Sequence, residues 1–165
     1  MKKLAATAAF IVFACALLAG PAPAAMSDAD FLELCGKGSL QQIVDAIKDG
    51  ANVHALDKHG RTALMMAACK NPNPEVIPAL AKAGVDINAK DSTGRTALMW
   101  AADSPSYRPP SEAITHLSEV ITTLLNFGAD PKAKDNNGKR AIDYARKNSR
   151  LEGSDALKKL EEASR

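Results

Sequence analysis

The sequence predicts an all-α solenoid of four stacked helix–turn–helix units with short hairpin loops. Three observations predict it. First, GRTALMMAA at 60–68 returns as GRTALMWAA at 94–102, 34 positions later, and a worn third copy, GKRAIDYAR, stands at 138–146. Second, Gly60, Gly94 and Gly138 each follow an aspartate by three residues, Asp57, Asp91 and Asp135. Third, each of those aspartates follows another glycine by seven residues: Gly50, Gly84 and Gly128. Self-similarity at a period of about 20–50 residues marks an array whose single unit cannot bury its apolar face alone.

The first unit, about 27–56, lacks the leading turn. SDADFLELCGKGSL (27–40) supplies its first helix, with Ser27 or Asp28 as the N-cap. The second unit, 57–90, opens on the Asp-x-x-Gly turn, where glycine takes backbone angles that other residues avoid. Thr62 then stands where a hydroxyl can cap a helix, and the alanine-dense ALMMAA that follows lets a neighbour pack close. Pro78 falls in this unit's second helix, which it is expected to kink or delay, leaving a weaker link.

The third unit, 91–134, repeats the cap as Thr96 but is ten residues longer, with the surplus near 103–118. Pro105, Pro109 and Pro110 forbid regular helix through 104–110. Ser111 then reads as an N-cap, and Ile114, Leu117, Val120, Ile121, Leu124 and Leu125 keep helical spacing. The spacing predicts an unbroken helix from about 111 to 127, ending at the left-handed cap Gly128. The fourth unit, 135–165, has Arg140 at the threonine position and so loses that cap. It ends in SDALKKLEEASR, whose charged outer face suits a terminal unit.

The recurrent TALM(M/W)AA with its turn resembles the ankyrin-repeat proteins, and together with NPNPEVI (71–77) it resembles their bacterial exported members in particular. The resemblance spans about 27–165. It implies an ankyrin-repeat solenoid and a protein partner held by the hairpin tips and the concave face of the first helices. It names no partner, since a fold hosts many functions.

Residues 1–24 read as a signal peptide, leaving 25–165 as the repeat domain. Lys2 and Lys3 make the positive start, Leu4 to Ala19 the apolar core, and Ala22-Pro23-Ala24 the small-residue cleavage site. Cys15 offers a lipidation alternative, but Phe13 is bulky for such a box and apolar residues continue after the cysteine. The expected destination is the periplasm or beyond, as a monomer with no stable membrane insertion after cleavage. With Lys2 and Lys3 removed from 21 basic residues, the remainder balances the 19 acidic ones. No basic cluster is interleaved with aromatics, so nucleic acid is not an expected partner.

An oxidising compartment permits a disulfide, and Cys35 and Cys69 fall late in the first helices of adjacent units. The pairing is tight, because helix axes stand about 8–10 Å apart while a disulfide wants Cα atoms about 4.4–6.8 Å apart. Cys35 as a small buried hydrophobe is the other reading. His54, His59 and His116 have no zinc-site spacing and read as solvated. Gly36-Lys37-Gly38 is a helix-ending turn without the rest of a phosphate loop, and a carboxylate recurring in every unit is structural. The expectation is a non-enzymatic module without cofactor or metal.

The copies differ at Met66 and Trp100, whose equivalents are Tyr144 in the fourth unit and Glu33 in the first. These positions lie on the side where the resemblance places the concave face, so a stripe Met66–Trp100–Tyr144 is expected to meet the partner. Lys58, His59, Arg61 and Lys70 flank it, and Tyr107 and Arg108 at the inserted loop are residue types favoured in binding hot spots. The expected role is a protein–protein interaction module, sharpened to a stoichiometric inhibitor or protector of an envelope or secreted protein. Two alternatives stand beside it: a secreted effector binding host proteins, and, in a different class, a small-ligand or metal binder.

Overall fold

The computed structural model describes residues 26–104 and 110–165, with side chains of 110–114 left aside. The expected signal segment 1–24 and the loop residues Tyr107 and Arg108 lie outside these residues. Eight α-helices run through the described residues: α1 Asp28–Lys37, α2 Leu40–Lys48, α3 Ala63–Lys70, α4 Val76–Lys82, α5 Ala97–Ala102, α6 Pro110–Asn126, α7 Ala141–Ala145 and α8 Asp155–Ala163. They form four consecutive pairs. The odd-numbered helices stack in one layer and the even-numbered ones in a second, so each unit touches mainly its neighbours.

Small side chains make the first layer possible. Ala67, Ala68, Ala101 and Ala102 are all buried on α3 and α5, and Leu64, Leu98 and Ile142 of the same layer are buried in the one core. Ile43, Ile77, Ile121 and Leu160 join it from the even helices. Burying such side chains is worth about 1.5–3 kcal/mol each, so stability is shared along the row.

Polar ties hold the units in register. Asn71 donates from Nδ2 to the carbonyls of Cys35 and Gly38 at 2.8 and 3.0 Å. Asn148 makes the same bridge two units on, to Ala102 and Ser104 at 3.0 and 3.2 Å. The Ser104 hydroxyl donates to the Cys69 carbonyl at 2.8 Å. Each tie satisfies carbonyls that the end of a helix leaves without a partner.

Several expectations about elements meet a specific outcome here. Ser27 caps α1, its hydroxyl accepting from Asp30 N. Thr62 caps α3 in the same way from Met65 N at 3.3 Å. Thr96 holds the equivalent backbone position, but its buried hydroxyl makes no capping bond. At the fourth unit the lost threonine is offset from the other direction, as the Arg140 amide donates to Asp143 Oδ2 at 2.8 Å.

α4 runs unbroken past Pro78 to Lys82, and in the repeat register it begins two residues later than α2, at Val76. Pro78 is the third residue of α4, in the first turn, where amides lack an intrahelical partner anyway. The lengthened helix is continuous through Ser118, as its apolar spacing predicts, but its first helical residue is Pro110, so Ser111 lies inside the first turn instead of capping it. Proline suits that first position because its fixed φ is already helical. Cys35 and Cys69 stand unbonded in this structure, the first buried and the second half-buried. His54 and His59 are exposed as expected, while His116 is half-buried on α6.

Candidate functional site

Each hairpin is built on its aspartate. Asp57 Oδ1 accepts from the amides of His59 and Arg61 at 2.8 and 2.9 Å. Asp91 Oδ1 accepts from Thr93 and Arg95 at 2.8 and 3.0 Å, and Asp135 Oδ1 from Asn137 and Lys139 at 2.9 and 2.8 Å. A glycine with positive φ closes each turn, Gly60 at 73°, Gly94 at 78° and Gly138 at 75°. At Gly94 a Cβ would also collide with the Asn136 side chain and come within 2.8 Å of its backbone N, so the next unit's approach forbids a side chain as well.

The second carboxylate oxygen differs in every unit. Asp57 Oδ2 takes the Arg61 guanidinium, with Nε at 2.7 Å. Asp91 Oδ2 accepts from Trp100 Nε1 at 2.9 Å, and Asp135 Oδ2 accepts from the Tyr144 hydroxyl. Burial pushes these carboxyls up, but the donors around each outweigh it and hold all three below the usual aspartate range. The Tyr144 hydroxyl moves the other way, to about 12, because burial and its bond to Asp135 both favour the neutral phenol. The recurrent aspartates therefore work as turn anchors, with both oxygens engaged.

The anchored rings and the cations between them form one ladder. The Arg95 guanidinium lies between two aromatic faces, 4.1 Å from the Trp100 centroid and 4.4 Å from the Tyr144 centroid. Arg61 approaches the Trp100 ring at 5.8 Å, and Lys139 approaches the Tyr144 ring at 5.7 Å. The order is Arg61, Trp100, Arg95, Tyr144, Lys139. Cations at these distances are attracted to the ring faces. Asp103 holds Arg95 in place through Nη2 at 2.7 Å.

Met66, Trp100 and Tyr144 are half-buried and rest on the core from one side. Their other edges remain accessible on the first-helix face. Lys58, His59 and Lys70 are exposed beside them. Two groups result: Arg61, Trp100 and Tyr144 enter the ladder, while Lys58, Met66 and Lys70 line a groove of about 590 Å³ against α1. His59 contributes its backbone, the carbonyl accepting from Ser92 N at 2.9 Å.

The ladder's central member, Arg95, was not among the residues the sequence points to. A signal existed, because Arg61, Arg95 and Lys139 all stand four residues after their aspartate. What the spacing does not convey is that Arg61 and Arg95 each reach the aromatic of the following unit, Trp100 and Tyr144, while Arg95 and Lys139 also face the ring of their own.

A family model of ankyrin repeats (3 copies) matches residues 32–109. The single ankyrin-repeat model matches residues 93–136. No curated protein matches the chain significantly. With consecutive repeat matches from 32 to 136, paired helices in two layers and an aspartate-anchored hairpin leading each of the last three units, this chain belongs to the ankyrin-repeat family.

Proposed function

We propose that the protein is an exported, non-enzymatic interaction module that holds another protein on the face made by its hairpin tips and by α3, α5 and α7. Ankyrin repeats support the coarser part of this reading, a protein–protein interaction module. Export rests on the N-terminal segment 1–24, and places the partner in the periplasm or outside the cell. In that setting the role that best suits a small array balanced in charge is stoichiometric: to inhibit or protect an envelope or secreted protein.

One observation carries the choice of face. Trp, Tyr and Arg are the residue types most enriched in binding hot spots, and here they alternate in one ladder whose outer edges are accessible across three units. The flanking Lys58, His59 and Lys70 add a polar rim.

The test is capture of the exported protein with its bound partners, followed by affinity measurements on variants. Trp100→Ala is expected to weaken partner binding by about 2 kcal/mol or more. It also removes a donor from buried Asp91, so folding stability should fall by about 1–2 kcal/mol while the array still folds. Tyr144→Phe keeps the ring, and should keep most of the affinity. Unchanged affinity in both Trp100→Ala and Tyr144→Ala would remove the ladder from the interface.

A further inference from the structure

Among the described residues the first unit has no hairpin of its own, so none of them continues the hairpin pairing at that end. Between later units the hairpins join by one backbone bond. Ser92 N donates to the His59 carbonyl at 2.9 Å, and Asn136 N donates to the Thr93 carbonyl at 3.0 Å. The residue in that register on the second unit is Lys58, the one after its aspartate. Among the described residues no hairpin precedes it, and its amide has no acceptor.

The side chains beneath this edge also depart from the repeat. Leu56 stands where the third and fourth units have Lys90 and Lys134, and it is 58% exposed. Together with Leu32 and Met66 it gives the 590 Å³ groove an apolar floor. The charge around the groove is uneven. Its acids are already engaged: Glu33 with Lys37 at 2.8 Å, Asp57 with Arg61 at 2.6 Å, and Asp28 with the Asn52 amide at 3.1 Å. Among the described residues neither the Lys58 nor the Lys70 ammonium forms an ion pair, although Lys70 is near enough to Glu33 to help lower its carboxyl.

We infer that this slot receives an extended segment of the partner protein, carrying an apolar side chain close to a carboxylate. The segment takes the place of the absent hairpin. A main-chain carbonyl accepts from Lys58 N–H, the apolar side chain covers Leu56 and Met66, and the carboxylate lies between Lys58 and Lys70. The inference rests on the protein-binding reading above, and adds to it a position and a ligand chemistry. A backbone donor without an acceptor among the described residues, an apolar floor and two ammoniums outside any ion pair fit such a ligand, with main-chain bonding for affinity and side chains for selection.

Panning a random heptapeptide library against the purified protein, with the Leu56→Lys variant as counter-selection, tests it. Leu56→Lys installs the residue the other units use, so the fold is expected to persist, and circular dichroism checks this. The recovered peptides should carry Asp or Glu within two positions of an apolar residue. Fluorescence anisotropy on the best of them should show affinity down about tenfold in Leu56→Lys and in Lys58→Pro, which deletes the N–H at a turn position proline tolerates. Lys58→Gln, which deletes only the charge, should cost about threefold to fivefold. Recovery of peptides without an acidic residue, or affinity unchanged in Lys58→Pro and Leu56→Lys, overturns the inference. Peptides lost only with Trp100→Ala overturn the slot and leave the proposed function standing, whereas a captured partner indifferent to every one of these substitutions removes both.

Discussion

Cys35 and Cys69 illustrate how one residue's surroundings set its chemistry. Burial pushes the Cys35 thiol up to about 12 and raises that of Cys69 as well, so neither is a ready thiolate near neutral pH. Iodoacetamide labelling of the native protein should therefore modify Cys69 slowly and Cys35 only as the array opens. Labelling in denaturant without reductant should modify both. Mass spectrometry reads the sites, and a native preparation with Cys35 and Cys69 joined would contradict the free pair. Trp100 has two roles at once: its Nε1 anchors Asp91, and its ring supports Arg95. The sequence singled it out as an unusual exposed-face residue, but could not show that its polar edge is spent inside the protein.

At the scale of elements, Pro78 gives the sharpest contrast between a rule and its context. Proline inside a helix costs about 3 kcal/mol when it deletes a ladder bond and clashes with the preceding turn. In α4 it occupies the third position, where no ladder bond exists to lose. Pro78→Ala should therefore change the urea midpoint by the equivalent of about 1 kcal/mol or less, mostly through the unfolded chain. Ala81→Pro, one turn further along the same helix, should cost about 3 kcal/mol. Equal effects from the two would show that α4 begins elsewhere. The long α6 was legible because its leucine, isoleucine and valine spacing runs on through Ser118. The exact start was less so: Pro110 is as good a first helical residue as Ser111 is a cap, and local chemistry does not choose between them.

For the whole molecule, the three depressed aspartates make stability depend on acid. A carboxyl whose folded pKa lies below its unfolded value near 4 contributes stability that is complete above the unfolded value. That stability is lost as pH falls through the folded one. Urea midpoints should thus be level from pH 7 to about pH 5 and decline below about pH 4. Asp91→Asn should cost about 1–3 kcal/mol at pH 7, and its deficit relative to the parent should shrink toward pH 3. A deficit that stays constant with pH would mean that the charge of Asp91 is not what the hairpin uses.

By itself the sequence determined the number of units, their turns, their small-residue seams and the structural character of Asp57, Asp91 and Asp135. These follow from short-range rules, such as a glycine's positive φ or a helix's apolar period, and the repetition states each of them more than once. Only the tertiary structure decided which cation meets which ring. Arg95 is one arginine among several in the chain until the third and fourth units stack and place Trp100 and Tyr144 on either side of it. The same holds for the open slot beside Leu56. The first unit's lack of a leading turn can be read from the chain, but a Lys58 amide with no acceptor among the described residues, above an apolar floor, exists only once α1 and α3 lie side by side. Contacts between units depend on distances across the stack, and no spacing along the chain encodes them directly.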